Sequence, residues 1–215
     1  MTGKPRIPRS PAALPEHDSR AGRLSPIADK DALRQQLLQR RRALDPAIQA
    51  QWDALIGASV RRWCDERSVR TLGVYWPLAG EPDLHATYAA LAAAGVRLVL
   101  PVVVERHAAL GFAAWTPGQA MQKDTMGVAV PVEPTLVDMP PMLLVPCLGF
   151  NAEKFRLGYG GGYYDRTLSA LPRPVTLGVA YECLLAEFDN AAHDVALDGG
   201  LPTALPRTIH DDLEN

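Results

Sequence analysis

Residues 156–166 read Arg-Leu-Gly-Tyr-Gly-Gly-Gly-Tyr-Tyr-Asp-Arg, with four glycines in the five positions 158–162. The run follows a predicted strand and precedes a predicted helix. Glycine lets the backbone take positive φ and lets a bulky ligand approach the N–H groups closely. Such N–H groups beside a helix N-terminus bind phosphate, and Arg156 and Arg166 flank them. Composition alone leaves two interpretations open, a phosphate cradle and a merely tight turn.

Other nucleotide-binding signatures do not fit this run. A Walker A loop ends in Gly-Lys-Ser/Thr, whereas Gly162 is followed here by two tyrosines. A dinucleotide fingerprint needs its third glycine at the position that Tyr163 occupies. The glycine-rich turn is therefore neither a P-loop nor a Rossmann turn.

Around this turn, short apolar segments alternate with helical segments. Asp29 and Asp45 are predicted N-caps, the second followed by a proline at the first helical position. The helices are predicted at 30–44, from 46 onward, at 84–94 and at 162–171, and the strands at 71–75, 96–100, 110–115, 142–145 and 175–180. Segment 118–141 is predicted to be rich in loops. Alternation of this kind predicts an α/β fold with a mainly parallel sheet flanked by helices and an N-terminal helical pair.

Composition limits the class of protein. The chain has 215 residues, 47% of them hydrophobic, and a net charge of −2, which does not indicate a nucleic-acid partner. No apolar run is long enough to cross a membrane. Three widely spaced cysteines (Cys64, Cys147 and Cys183) without a C-x-x-C pair favour a reducing compartment, and we expect a cytoplasmic protein. The proline-rich residues 1–28 are predicted to be a disordered tail, and residues 29–215 a single α/β domain.

The run 156–166 closely resembles the signature of the 5-formyltetrahydrofolate cyclo-ligase family. Further matches to that family span roughly residues 29–198: Lys30 and Arg34, Tyr75-Trp76-Pro77 with Glu81, Val145-Pro146, Gly149-Phe150, and His193-Asp194-Val195 with Asp198. The resemblance implies a fold related to phosphosugar isomerases and CoA transferases. It also implies an enzyme, expected to be a monomer, that uses ATP and Mg²⁺ to convert 5-formyltetrahydrofolate to 5,10-methenyltetrahydrofolate with release of ADP and phosphate.

The resemblance further assigns residues to ATP. Lys30, Arg34 and Tyr163 are expected to be catalytic. The residues expected to bind ATP are Lys30, Arg34, Arg156, Gly158, Gly160, Gly161, Gly162, Tyr163 and Asp165. The pattern of the first two alone, like charges four apart on a helix, is more typical of a solvated face.

Substrate and metal contacts follow from the same resemblance. Glu81, Trp115, Tyr159 and Tyr163 are expected to contact the folate, and Asp165 and Asp194 to bind Mg²⁺, with Asp198 a lower-ranked alternative. Without the resemblance, Glu81 would be expected to be a surface carboxylate and Trp115 a core residue. Three tyrosines surround the glycines, and at least one is expected in the core. His193 is expected to be structural rather than a general base.

Three departures from the family pattern accompany these matches. Asn151 and Lys154 replace an aspartate and a glycine of many members, Gly161 stands where some members have a lysine, and residues 199–203 match poorly. Two rival functions remain open. A non-catalytic relative would bind a nucleotide, a folate or RNA without turnover, and a phosphosugar isomerase or CoA transferase on a related fold would not require ATP.

Overall fold

The structure, a computed structural model, describes residues 29–199. The predicted tail at 1–28 and all but the first residue of the divergent segment 199–203 lie outside these described residues. Within the described range, no helix has the length and the apolar character that crossing a membrane requires.

Two helices open the described chain at the predicted caps. Helix α1 spans Lys30–Arg42, and the Asp29 carboxylate accepts a hydrogen bond from the backbone N–H two residues on, at 3.0 Å. Helix α2 spans Pro46–Glu66, and the Asp45 carboxylate accepts from the N–H groups two and three residues on, at 2.7 and 3.3 Å. These bonds satisfy donors that a helix start leaves without partners, so the predicted N-terminal pair is confirmed.

The rest of the described chain alternates strands with short helices. In order, the elements are β1 (Thr71–Gly73), α3 (His85–Ala93), β2 (Arg97–Val102), β3 (Gly111–Trp115), β4 (Met121–Lys123), β5 (Ala129–Pro131), β6 (Leu136–Val137), β7 (Met142–Pro146), β8 (Gly149–Phe150), β9 (Arg156–Leu157), α4 (Tyr163–Leu168), β10 (Val175–Val179) and a 3-10 helix at Glu182–Leu184. Segment 118–141, which was predicted to be rich in loops, contains three short strands, β4 to β6. These strands were not predicted because turns interrupt the segment.

The central sheet has six strands in the order β10-β7-β1-β2-β3-β6. The first four are parallel, β3 runs antiparallel to β2, and β6 at the edge runs antiparallel to β3. Two small hairpins, β4–β5 and β8–β9, stand outside it. This arrangement confirms the predicted α/β class with a mainly parallel sheet. In such sheets, ligands bind beyond the carboxyl ends of the parallel strands.

The core is split by the sheet into two layers because successive strand side chains point to opposite faces. Leu98 and Leu100 of β2 face the layer formed with α1, α2 and α3, whereas Val99 faces the other layer with α4. On β7, Leu144 lies in the first layer, and its two neighbours lie in the second. Both faces of the sheet are covered, which explains the uninterrupted apolar runs in these strands.

The last helix is shorter than predicted. The sequence predicts a helix over 162–171, whereas α4 spans only Tyr163–Leu168 and ends at Ser169. Six residues give less than two turns, so the dipole of this helix contributes little to anion binding. The loop itself must then provide most of the electrostatic attraction for a phosphate.

Helix α1 is held against the hairpin that leads into the glycine-rich turn. Leu37 is fully buried, and a Cβ added to Gly149 at the start of β8 would lie 2.4 Å from the Cδ1 atom of Leu37. Real Cβ atoms do not approach other atoms so closely, so α1 and β8 can be this near only because residue 149 is glycine. Because β8 pairs with β9, which leads into the glycine-rich turn, this contact also sets the distance between α1 and residues 156–162.

Leu37→Ala should therefore destabilise the protein markedly. Removing a fully buried leucine side chain lowers the free energy of unfolding by about 2–5 kcal/mol. Gln36→Ala, at the exposed neighbouring position of the same helix, should change it by less than about 0.5 kcal/mol. Urea denaturation of both variants measures the difference. Equal stability of the two variants would contradict the docking of α1 described above.

Candidate active site

The glycine-rich loop joins β9 to α4 beyond the carboxyl ends of the parallel strands. Gly160 has φ +89° and Gly162 has φ +64°, values that side chains with a Cβ rarely adopt. A Cβ at Gly158 would meet no atom within 4 Å. The loop therefore needs glycine at two positions for its conformation, and at the third the backbone remains open to a ligand.

Two guanidinium groups flank this loop. Arg34 of α1 donates from Nε to the Gly158 carbonyl at 2.8 Å, and its Cζ would lie 3.6 Å from a Cβ at Gly160. Arg166 of α4 donates from Nη2 to the Gly161 carbonyl at 2.6 Å. Positive charge thus stands on both sides of the glycines, as a polyanionic ligand requires. Arg166 also brings a cation next to the position where some relatives have a lysine.

Lys30, one turn before Arg34 on α1, forms an ion pair with Asp194. The distance from Nζ to Oδ2 is 3.0 Å, and the ammonium lies 5.9 Å from the centroid of the Phe188 ring. Burial raises the pKa of Asp194, but a hydrogen bond from the Ala191 N–H and the Lys30 ammonium outweigh that effect and lower the pKa overall. Asp194 is therefore held as a carboxylate.

Asp165 is the second predicted metal ligand, and Arg156 contacts it directly. Arg156 Nη2 lies 2.5 Å from Asp165 Oδ1, and Nη1 donates to the Val195 carbonyl at 3.0 Å. The Val195 N–H in turn donates to Asp165 Oδ1 at 3.4 Å. The fold therefore returns the chain next to Asp194 to Asp165, a proximity that the sequence left undetermined.

The other acidic candidate has a structural role. Asp198 accepts hydrogen bonds from the N–H and hydroxyl of Thr176 at 2.9 and 2.8 Å and pairs with Arg173 at 3.2 Å. These contacts tie the last described residues to β10. The side chain of His193 is 81% exposed and lies 3.7 Å from Asp194. A side chain this exposed makes no contribution to the core, so its burial does not support the structural role that was expected of His193.

Glu81 belongs to a buried polar cluster, contrary to its interpretation from sequence alone as a surface carboxylate. Its side chain is 2% exposed. Oε2 accepts from the Leu78 N–H at 2.8 Å, Oε1 accepts from the Tyr159 hydroxyl, and Arg41 Nη1 lies 3.8 Å from Oε1. Burial raises the pKa of Glu81, while these two hydrogen bonds and the Arg41 charge oppose that rise.

The three tyrosines of the turn lie in three different environments. Tyr159 covers Glu81 and is 44% exposed. Tyr163 is half-buried, with the guanidinium of Arg166 5.2 Å from its ring centroid. Tyr164 packs against the second core layer, and burial raises its pKa. None of the three is among the fully buried core residues, so the expectation of a core tyrosine is met only in part, by Tyr164.

Trp115 does not join the other predicted site residues. It is 5% exposed, and its ring makes edge contacts with Trp76, Tyr88 and His85 at 5.9, 6.1 and 6.3 Å between centroids. It also borders a cavity of about 720 Å³ at the amino edge of the sheet, away from the glycine loop. Stacking of a folate directly on this ring is not possible while the ring stays buried. Trp76, half-buried in the segment before Glu81, is the aromatic side chain of that segment that contacts Trp115.

Two residues of this site were not predicted from the sequence, Arg41 and Trp76. Arg41 shares a helical face with Lys30 and Arg34, and that spacing was the available signal. Trp76 was included in a motif match, but no role was assigned to it. Neither signal distinguishes a buried side chain from an exposed one, so only the fold reveals their positions.

The glycine-rich loop has cationic side chains on one side and, next to Tyr159, the carboxylate of Glu81 on the other. Lys30, Arg34 and Arg166 provide charge for a phosphate chain, and Glu81 with Tyr159 provides hydrogen-bonding groups for a flat polar ring. Within residues 29–199, no group of three or more His, Cys, Asp or Glu side chains is arranged to hold a metal ion. Asp165 and Asp194 remain a two-carboxylate candidate.

Comparisons with known proteins agree with the motif matches. A model of the 5-formyltetrahydrofolate cyclo-ligase family matches residues 26–199. The 5-formyltetrahydrofolate cyclo-ligase of Mycoplasma pneumoniae is 30% identical over 173 residues, covering 79% of this chain and 96% of the relative. That of Mycolicibacterium smegmatis is 32% identical over 181 residues, covering 78% and 90%.

Solved structures give the same result. A 5,10-methenyltetrahydrofolate synthetase from Mycoplasma pneumoniae superimposes with a TM-score of 0.68 at 28% identity, covering 80% of this chain and 98% of that one. The Aquifex aeolicus 5,10-methenyltetrahydrofolate synthetase gives 0.69 at 22% identity with 86% and 99% coverage, which supports the fold alone. The resemblance seen in the motifs is thereby confirmed, and the chain belongs to the 5-formyltetrahydrofolate cyclo-ligase family of enzymes.

Proposed function

We propose that this enzyme uses ATP to close the methenyl bridge of 5-formyltetrahydrofolate, releasing ADP and phosphate. The observation that carries the proposal is the position of residues 158–162. Arg34 contacts this loop on its cationic side, and Tyr159 extends from the same loop to Glu81. An enzyme that transfers a phosphoryl group to a bound folate must hold the two reactants side by side, and this loop touches both proposed subsites.

The ATP phosphates are assigned to the cationic side of the loop. Backbone N–H groups of Gly160 to Gly162 would bind phosphate oxygens, because the positive φ values leave this backbone free of side chains. Lys30 and Arg34 would add charge-assisted hydrogen bonds. Both cations currently contact acceptors of the protein, Asp194 and the Gly158 carbonyl, which hold them at the loop before ATP arrives.

Asp165 and Asp194 fit a magnesium site of the kind that ATP brings with it. Mg²⁺ takes few protein carboxylates, with water and phosphate oxygens completing its ligands. Within the described chain, Oδ1 of Asp165 and Oδ2 of Asp194 accept the hydrogen bonds, and the other oxygen of each accepts none. Oδ2 of Asp165 and Oδ1 of Asp194, the latter 3.7 Å from His193 Nε2, would be the ligands of the ion. When bound, Mg²⁺ would neutralise charge on the phosphates.

The folate ring is assigned to Glu81. The amino and ring N–H groups of a pterin are hydrogen-bond donors, which a carboxylate can accept in pairs. Glu81 is buried beneath Tyr159, so the ring reaches it by replacing the tyrosine hydroxyl. Tyr159 and Tyr163, both partly accessible at the loop, provide aromatic faces beside this position.

The proposed reaction has two bond-forming steps. The formyl oxygen at N5 attacks the γ-phosphorus of ATP in line, and ADP leaves, which gives a phosphorylated imidate. N10 then attacks the activated carbon, the C–O bond breaks with departure of phosphate, and the N10 proton is lost. Lys30, Arg34 and Arg166 would balance the negative charge on the γ-phosphoryl group during transfer, and Tyr163 would lie beside that group.

An absorbance assay tests the proposed function against the rival functions. Purified protein is mixed with 5-formyltetrahydrofolate, ATP and Mg²⁺, and the near-ultraviolet absorbance of the methenyl product is followed. A rise that requires both ATP and Mg²⁺ is expected. No rise from folded protein would indicate a binding-only relative, and a rise without ATP would indicate different chemistry.

Asp165→Asn should raise the Mg²⁺ concentration needed for half-maximal turnover by about tenfold or more, because an amide is a poorer ligand than a carboxylate. Asp198→Asn is the matched control, since Asp198 also pairs with an arginine but contacts β10 instead. Circular dichroism confirms that both variants are folded. Near-wild-type dependence on Mg²⁺ in the Asp165 variant would remove Asp165 from the metal site.

Trp115→Ala should raise KM for 5-formyltetrahydrofolate much more than KM for ATP. Its ring supports Trp76, which lies in the segment leading to Glu81, so its loss should loosen the folate side first. The same change should also lower the free energy of unfolding by about 3–5 kcal/mol, because the side chain is buried. Steady-state kinetics and urea denaturation measure both effects. Equal changes in the two KM values would make Trp115 purely structural.

A further inference from the structure

Arg41 is a buried cation on the helix face that carries the proposed ATP-binding residues. Lys30, Arg34 and Arg41 are spaced by four and then seven residues, which places them within about 40° of one another around α1. The first two point at the phosphate side of the loop. Arg41 lies about three turns from Lys30 and has no role in the ATP assignment.

The surroundings of Arg41 are unusual for a charged side chain. The residue is 2% exposed. Nη1 donates to the Tyr159 hydroxyl at 2.7 Å, Nη2 donates to the Ala79 carbonyl at 3.2 Å, and Nη1 lies 3.8 Å from Oε1 of Glu81. Nε is buried without a hydrogen-bond partner in the described part of the chain. Burying a cation with an unsatisfied donor costs free energy, so this arrangement is not explained by stability alone.

The three members of this polar cluster differ in accessibility. The side chains of Arg41 and Glu81 are 3% and 2% exposed, whereas Tyr159 is 44% exposed. Arg41 and Glu81 are therefore fixed by the packing around them. Tyr159, between two glycines, is the member that a ligand can displace.

We propose that Arg41 is a positioning residue for the folate end of the site, which holds Glu81 as an ionised acceptor when folate donors take the place of the Tyr159 hydroxyl. This inference rests on the proposed function, in which Glu81 binds the pterin. Arg41 would act through Glu81 and would not itself contact the substrate.

The charge balance around Glu81 supports this role. Burial raises the pKa of the carboxyl, and the opposing contributions come from Tyr159, the Leu78 N–H and the charge of Arg41. Four other titratable groups interact electrostatically with Glu81, and they are neutral at physiological pH because burial raises their pKa values. They are Tyr75 after β1, Tyr88 on α3, Tyr164 on α4 and Cys147 after β7. Once Tyr159 moves away, the Leu78 N–H and the charge of Arg41, whose Nη1 lies 3.8 Å from Oε1, are the contributions that still oppose the raised pKa of Glu81.

The test compares Arg41→Met with Arg42→Met, the same change at the exposed neighbouring position of α1. Calorimetry measures the dissociation constants of 5-formyltetrahydrofolate and of ATP over a range of pH. Arg41→Met should weaken folate binding by about tenfold or more, with ATP binding changed less than about twofold. Arg42→Met should change neither.

The pH dependence separates this role from a structural one. Removing Arg41 raises the pKa of Glu81 further, so the variant should lose folate affinity at a higher pH than the wild type does as the pH falls. Arg41→Lys keeps the charge but not both hydrogen bonds, and it should leave that pH close to the wild-type value. It also serves as the test variant if Arg41→Met does not fold, since it should still bind folate more weakly than Arg42→Met.

Tyr159→Phe excludes an indirect effect through the tyrosine. The hydroxyl competes with folate for Glu81, so its removal should tighten folate binding, opposite to the effect of Arg41→Met. If both variants weaken binding equally, or if the Arg41 variants bind folate like the wild type at every pH, the role proposed for Arg41 is overturned. If the wild type does not bind 5-formyltetrahydrofolate, the proposed function itself fails.

Discussion

The hydrogen bond from Arg34 to the Gly158 carbonyl joins helix α1 to the glycine-rich loop, and the geometry of the site depends on it. The loop makes few contacts of its own because its glycines carry no side chains. Its position is set by α1 on one side and by Arg166 on the other. Helix α1 is itself held at this distance by the packing of Leu37 over Gly149. A contact in the core thereby determines where the cations of the site stand.

The burial of the ion pairs differs between the two ends of the site. At the end proposed for the phosphates, Lys30 and Asp194 are partly exposed and form a pair that solvent and ligand can reach. At the opposite end, Arg41 and Glu81 are almost fully buried and are bridged by Tyr159. Partly exposed pairs exchange partners at low cost, whereas a buried pair keeps its charges in place. This difference agrees with the proposed function, in which a flexible, highly charged phosphate chain binds at the first end and a rigid ring at the second.

The sequence predicted the features that depend on local rules. The caps Asp29 and Asp45, the apolar strands of the parallel sheet and the positive φ values in the glycine run all follow from neighbouring residues. Features that depend on distant contacts were not predictable. Nothing in the sequence shows that Val195 returns to Asp165 or that Glu81 is buried. The core position of Trp115, by contrast, agrees with what its residue type alone indicated. The length of α4 was overestimated because a helical pattern does not show where tertiary packing ends the helix.

In the proposed function, one loop holds ATP and folate together, so phosphoryl transfer requires both. The most direct measurement is ADP formation by the purified protein with Mg²⁺ and ATP, in the presence and absence of 5-formyltetrahydrofolate. ADP is expected to form only when the folate is present, with one ADP for each methenyl product. Equal ADP formation without folate, or methenyl product without ADP, would contradict it.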